Sequence, residues 1–424
     1  MKRLCQFFIL CAGLSLGGSG LLSAPAQHKH NDPVAQLQQR LERGEAQLEY
    51  AEPGGWLQSV LRALRVPVSS QGLVFSRTSL QSQHISPSNP RAIYFNDQVY
   101  IGWIRGAEMI ELSAADPDLG GVFYTLEQKP SATPKFVRHE SCMRCHGTGN
   151  TRFIPGHLVR SVFTEAGGNG LAGFSSFVTD HASPFRERWG GWYVTSARNE
   201  ERHLGNTFFT EADDPDLLTG NNLISLDKKV DLRGYASPHS DIVALMTLAH
   251  QTQMQNLFVW LGYETAMALR EQEEISQTTK QPKGHLASVV EHRIQFAVDE
   301  TLRYLLFTDE AKLRSPIRGT SDFAQEFAAQ GLRDRQGRSL RDLDLQERLF
   351  RYPCSYLIYS EAFDHIPQPA LGLLYRKLWL ALTGQAQEKA FRLAEADRRA
   401  ILEILIETKK NLPDYFRSQI SSSN

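Results

Sequence analysis

Cys142-Met143-Arg144-Cys145-His146 is the stretch of this chain whose residue types and spacing most clearly imply chemistry. Two thiols three positions apart, followed at once by an imidazole, have the spacing of c-type haem attachment. Each thiol can add across one porphyrin vinyl group, and the histidine is then carried under the iron as its proximal ligand. A zinc half-site or a redox dithiol is the rival reading of a C-x-x-C pair. A structural zinc site needs a second ligand pair, and after Cys145 the chain has only Cys354.

The expected cofactor is therefore one covalent haem c, held by Cys142 and Cys145, with His146 on the iron. For the sixth iron position His203, in Arg202-His203-Leu204-Gly205-Asn206, is the first choice, and His181 and His250 are the alternatives. Methionines are poorer candidates: Met143 lies inside the loop, and those after residue 240 fall at helical core spacing.

The rest of the chain must position that loop. Met1-Lys2-Arg3, an apolar run and Leu22-Ser23-Ala24-Pro25-Ala26 have the three parts of a cleavable secretory signal, expected over residues 1–26. Export suits the loop, because bacterial haem c attachment takes place outside the cytoplasmic membrane. A periplasmic or otherwise exported protein is expected, with no transmembrane anchor after cleavage. Cys5 and Cys11 leave with the signal, so no structural disulfide is expected.

The 424 residues are 41% hydrophobic and 22% charged, ordinary for a globular protein. With 46 basic residues against 47 acidic the chain has no basic excess, which argues against a nucleic-acid partner. Loss of Lys2 and Arg3 leaves 44 against 47, a charge of −3.

Leucines at helical spacing predict an amphipathic helix over Val34 to Leu48 and a second one through Trp56 to Leu64. Gly72 to Ser76 reads as a short buried strand, and short apolar and β-branched runs from Arg91 to Val137, broken by Asn96-Asp97, glycines and Asp-Pro, predict an antiparallel meander. His157 to Phe163 and Gly173 to Thr179 read as a hairpin. After Pro238 the period becomes helical, with Ser240-Asp241 capping a long helix to Arg270 and Glu271 to Lys283 as an extension and linker. Further helices are expected over Leu286 to Phe307, Asp322 to Ala329, Leu345 to Phe350, Ser355 to Phe363, Pro369 to Thr383 and Ala394 to Thr408. The fold class is thus α+β, with a mixed antiparallel-sheet haem domain over residues 27–238 and an α-helical domain over 239–424.

With these residues in place, the chain resembles a family of exported bacterial proteins known only as cytochrome c domain-containing. The matching stretches are Ser69-Ser70-Gln71, Leu73-Val74-Phe75-Ser76, Asn89 to Asp97, the CMRCH loop, Arg188 to Thr195 and Phe350 to Ser360. The resemblance implies one covalent haem and no assigned reaction. Where that family often has methionine after the histidine of RHxGN, this chain has Leu204, so a methionine there is not a required ligand. A haem loop among strands also looks like exported haem c sensor domains of PAS-like fold, an analogy that does not carry function.

Three functions fit one haem: an electron carrier serving a redox protein or a small-molecule donor or acceptor, a haem-based redox or gas sensor, and a peroxidase-like enzyme. The carrier is the primary expectation. Acidic pairs such as Asp213-Asp214 and Glu273-Glu274 sit in polar stretches, and Cys354 lies in an apolar run, so neither suggests a catalytic centre.

Overall fold

The computed structural model describes residues 32–174, 176–210, 213, 222–279 and 286–417. The expected signal peptide and Asp214 lie outside them. The first helix, α1 (Pro33–Glu42), starts on Asp32, whose Oδ1 accepts from Val34 N at 2.9 Å and Ala35 N at 3.1 Å. Proline at the first position costs nothing there, because its missing N–H would be unpaired in any case. The helix stops at Glu42 rather than Leu48, since Gly44 takes φ +71° and turns the chain away. A second helix, α2 (Leu57–Ala63), follows.

Strands β1 (Gly72–Val74), β2 (Arg91–Phe95), β3 (Val99–Trp103), β4 (Met109–Asp116), β5 (Gly120–Glu127) and β6 (Phe136–Arg138) form the expected meander. After β6 comes α3 (Met143–His146), one turn that is the CMRCH loop itself. The hairpin is reduced to β7 (Arg160–Ser161) paired with β8 (Phe177–Val178), while β9 (Trp192–Tyr193) joins the main sheet beside β1. The seven-stranded antiparallel sheet runs β6-β5-β4-β3-β2-β1-β9.

Strand alternation divides this sheet into two unlike faces. Leu73, Tyr94, Ile101, Trp103, Leu112 and Tyr124 share one face and a core with α1 and α2. Val74, Phe95 and Tyr100 point the other way into a larger core. That second core belongs mainly to the helices: α4 (Ile242–Thr279), α5 (Ser288–Leu305), α6 (Phe323–Ala329), α7 (Glu361–Asp364), α8 (Ala370–Leu382) and α9 (Glu395–Thr408). The chain changes from strand to helix near residue 238, and hydrophobic packing is continuous across that point. An α+β architecture, sheet first and helices after, is what the structure shows.

Three helix expectations need correction. Ser355 to Phe363 is a 3₁₀ turn over Tyr356–Tyr359, broken at extended Ser360, before the short α7. Residues 271–279 continue α4 as helix and are not linker. Leu345 to Phe350 is not helical: Asp344 Oδ1 accepts from the backbone N–H of Gln346, Glu347 and Arg348, and Leu345 has φ +56°. A side chain that bonds nearby amides offers the backbone an alternative to the helix.

Asp241 joins the sheet end to the helices. It is 1% exposed; one oxygen accepts from Val243 N at 2.8 Å, and the other from Thr320 N and Ser321 N, both at 2.7 Å. Asp241→Ala removes the cap of α4 and strands buried donors, so a loss of about 3 kcal/mol is expected in denaturant unfolding. A loss below about 0.5 kcal/mol would contradict this role.

Candidate functional site

The CMRCH turn is laid on the second face of the sheet. His146 packs on Phe123 of β5, with ring centroids 4.5 Å apart. Its Nδ1 lies 2.8 Å from the carbonyl oxygen of Gly156. A carbonyl can only accept, so Nδ1 carries the hydrogen and Nε2 keeps its lone pair. Nε2 makes no hydrogen bond among the described residues. Burial pushes the imidazole below its ordinary pKa, partly opposed by that Gly156 bond, which keeps the ring neutral and able to donate to a metal.

Gly156 is required by close approach. A Cβ there would lie 2.7 Å from Asn256 Oδ1 and 2.9 Å from Thr151 Cβ. Asn256 of α4 accepts from His157 N at 2.9 Å and donates to His157 O at 2.8 Å. Further along, Arg152 pairs with Glu300 of α5 at 3.1 Å and lies 4.2 Å over the Trp260 ring. Both long helices therefore hold the segment that supplies the carbonyl to His146.

Among the described residues Cys142 and Cys145 are unpaired thiols. Cys145 is exposed, while Cys142 is half-buried and its thiol is pushed up by burial and by Glu111, less an opposing pull from Arg91. Cys354 is fully buried and its thiol is pushed up to about 12, as expected of an inert core cysteine. Around the loop, Val137 is 52% and Phe153 81% exposed, an apolar rim.

These residues fit haem c. Two free thiols and a neutral imidazole of fixed tautomer lie on one turn, and the supporting carbonyl comes from a braced segment. Among the described residues no three His, Cys, Asp or Glu side chains are grouped to hold a bare metal ion. A porphyrin brings four nitrogens of its own and does not need such a group.

None of the three histidines considered for the sixth position has a hydrogen bond or ring contact to residues 142–146 among the described residues. His181 and His250 are bonded to each other, Nδ1 to Nδ1 at 2.9 Å, and stack at 5.1 Å. His250 Nε2 also meets Ser355 Oγ at 2.8 Å, so both of its nitrogens are engaged. His203 is 1% exposed, edge-on to Trp189 at 5.3 Å and beside the Gly205 backbone, with no well-formed hydrogen bond to either ring nitrogen among the described residues. Burial pushes it down to about 4. None of its hydrogen bonds or ring contacts is to residues 142–146. The paired glycines near it serve the backbone: a Cβ at Gly190 or Gly191 would lie 2.6 Å from Val162 O or Ser76 Cβ.

Sequence reasoning missed a buried histidine that interacts with His146. His157 lies on the same sheet face, 4.3 Å from the Tyr100 ring, with Nε2 2.6 Å from Ser113 Oγ. It is pushed down to about 3 by burial and by the neighbouring His146. Arg91 and Glu111, joined at 2.8 Å, lie beside it on the sheet. Only alternation along β2 and β4 hinted at this, by putting charged residues at positions that face inward.

The chain matches no protein family model, no curated protein and no solved structure. No helix among the described residues is long and apolar enough to cross a membrane.

Proposed function

We propose that this chain is an exported single-haem c-type cytochrome that moves electrons through a haem bound to Cys142 and Cys145. The observation that carries the reading is the 2.8 Å bond from His146 Nδ1 to Gly156 O, which prepares Nε2 as an axial ligand. Bound haem would supply a one-electron iron couple. The chain would hold the ring orientation of His146, exclude water from its buried side, and leave an apolar rim at Val137 and Phe153 where a redox protein or small donor could approach. The resemblance to exported cytochrome c domain proteins and the PAS-like analogy agree with a haem loop lying on an antiparallel sheet.

For the sixth position the support is chemical. His203 has two buried nitrogens without a well-formed hydrogen bond among the described residues, a costly state that ligation would relieve. One observation favours the sensor reading as second choice: the loop is braced on α4 and α5 through Asn256, Arg152 and Glu300, a route by which a change at the iron could reach the helices.

The test is spectroscopy of the full-length protein produced with haem-attachment machinery. A reversible haem spectrum unchanged by carbon monoxide is expected for a carrier; carbon monoxide binding would select the sensor, and absence of haem would end both. His203→Leu should convert a low-spin ferric resonance to high-spin. An unchanged low-spin signal would remove His203 from the iron.

A further inference from the structure

We infer that Arg91 and Glu111 are the fixed charges that set the reduction potential of the iron held by His146. The inference rests on the haem reading above and adds the residues that tune it.

Cross-strand register places them. Gly102 of β3 stands opposite Glu111 of β4, and Ser113, two residues along on the same face, stands opposite Phe123. Phe123 carries the His146 ring at 4.5 Å. Glu111 is therefore a diagonal neighbour of the ring beneath the axial ligand, at the roughly 7–8 Å of such pairs. Arg91 reaches it from β2 by lying across Gly102, where a Cβ would meet its guanidinium at 2.6 Å. Only glycine at that position leaves the path open.

The pair is shielded from solvent, with side chains 23% and 16% exposed. Glu111 is further fixed by Ser79 Oγ at 2.7 Å and Gln81 Nε2 at 3.3 Å. Arg91 keeps its Nε buried without a partner, a cost that a purely packing role would not require. Charges this constrained act on the iron at short range and with little salt screening. Arg160 is also near His146 and donates to the neutral Ser176 hydroxyl, and Arg144 of the turn itself is exposed to solvent; neither is paired with a carboxylate on the sheet as Arg91 is. The exposed Arg138–Glu140 pair at 3.0 Å is screened by water.

Removal of a nearby positive charge disfavours the reduced iron, and removal of a negative charge favours it. At roughly 10 Å and an effective dielectric near 20, less some screening, each change is worth about tenfold in the reduction equilibrium. For a one-electron couple that is 59 mV.

The experiment is a spectroelectrochemical titration of full-length, haem-loaded wild type, Arg91→Gln, Arg91→Lys and Glu111→Gln. Arg91→Gln should lower the potential, Glu111→Gln should raise it, and Arg91→Lys should stay near wild type. Opposite signs with rescue by lysine are a signature that a merely structural role would not give. Shifts of the same sign, or none, in variants that carry haem would overturn the inference and leave the haem reading standing. A wild type without haem would instead defeat the haem reading itself. If Arg91→Gln does not fold, the upward shift in Glu111→Gln, whose amide keeps the Ser79 contact, decides alone.

Discussion

Cys145→Ala, made in a host able to attach haem, is expected to yield a protein whose haem is lost on denaturing electrophoresis, while the wild-type band keeps its haem stain. Cys145 is the exposed thiol of the pair and adjoins His146, so its thioether would be the one that draws the imidazole under the iron. A lone thioether at Cys142 would itself survive denaturation, so complete loss of stain reports that attachment fails without the thiol beside His146. Cys142→Ala leaves that second bond, and a weaker stain with a shifted absorption band is expected. Cys354→Ala is the internal control: its thiol is buried and pushed up to about 12, and stain should be unaffected. An unstained wild type would exclude covalent attachment. Stain surviving in a Cys142→Ala, Cys145→Ala double variant would place the cofactor elsewhere.

The loop was legible in the sequence because its chemistry is local: three side chains on one turn and a spacing that few other functions require. The meander was legible for a similar reason, since short apolar runs between turn residues are a signal carried within each strand. Assembly of the site was much less so. His157 is one histidine in a glycine-rich stretch, and nothing local says that it will lie on Tyr100 and beside His146. Arg91 and Glu111 are 20 positions apart, and their pairing depends on a glycine in the strand between them.

The histidines show the same limit from the other side. His181 and His250 each had the profile of a candidate ligand when read alone. Their hydrogen bond to each other joins residues 69 positions apart, and no period or motif announces it. Helix ends failed where one residue's side chain competes with the backbone, as at Asp344, or where a single glycine takes positive φ, as at Gly44. Such features are read from geometry, not from pattern.

Stability should fall steeply as pH drops from about 6.5 toward 4.5, because several imidazoles are buried in neutral form. Burial pushes His157 and His250 down to about 3 and His203 down to about 4, and it holds His181 well below the ordinary value. Each folded pKa lies under that of the unfolded chain. Their stabilising contribution is therefore complete above about 6.5, and below it the unfolded chain takes up protons that the native state refuses. Glu310 works the other way. Burial raises it to about 7, so the native state already holds a proton that the unfolded chain would release above about 4.5. These four histidines opposed by one glutamate leave about three protons, or about 4 kcal/mol per pH unit, and His146, also lowered by burial, adds to the same slope. Against a usual stability of about 5–15 kcal/mol, acid unfolding is expected to begin only below roughly pH 5.2. Guanidinium unfolding at stepped pH measures the slope, and His203→Leu should reduce it by about one proton. Iron ligation at His203 would act in the same direction in the wild type, since a bound lone pair cannot accept a proton. Stability that stays flat from pH 7 to pH 5 would show that these imidazoles are not held neutral by burial.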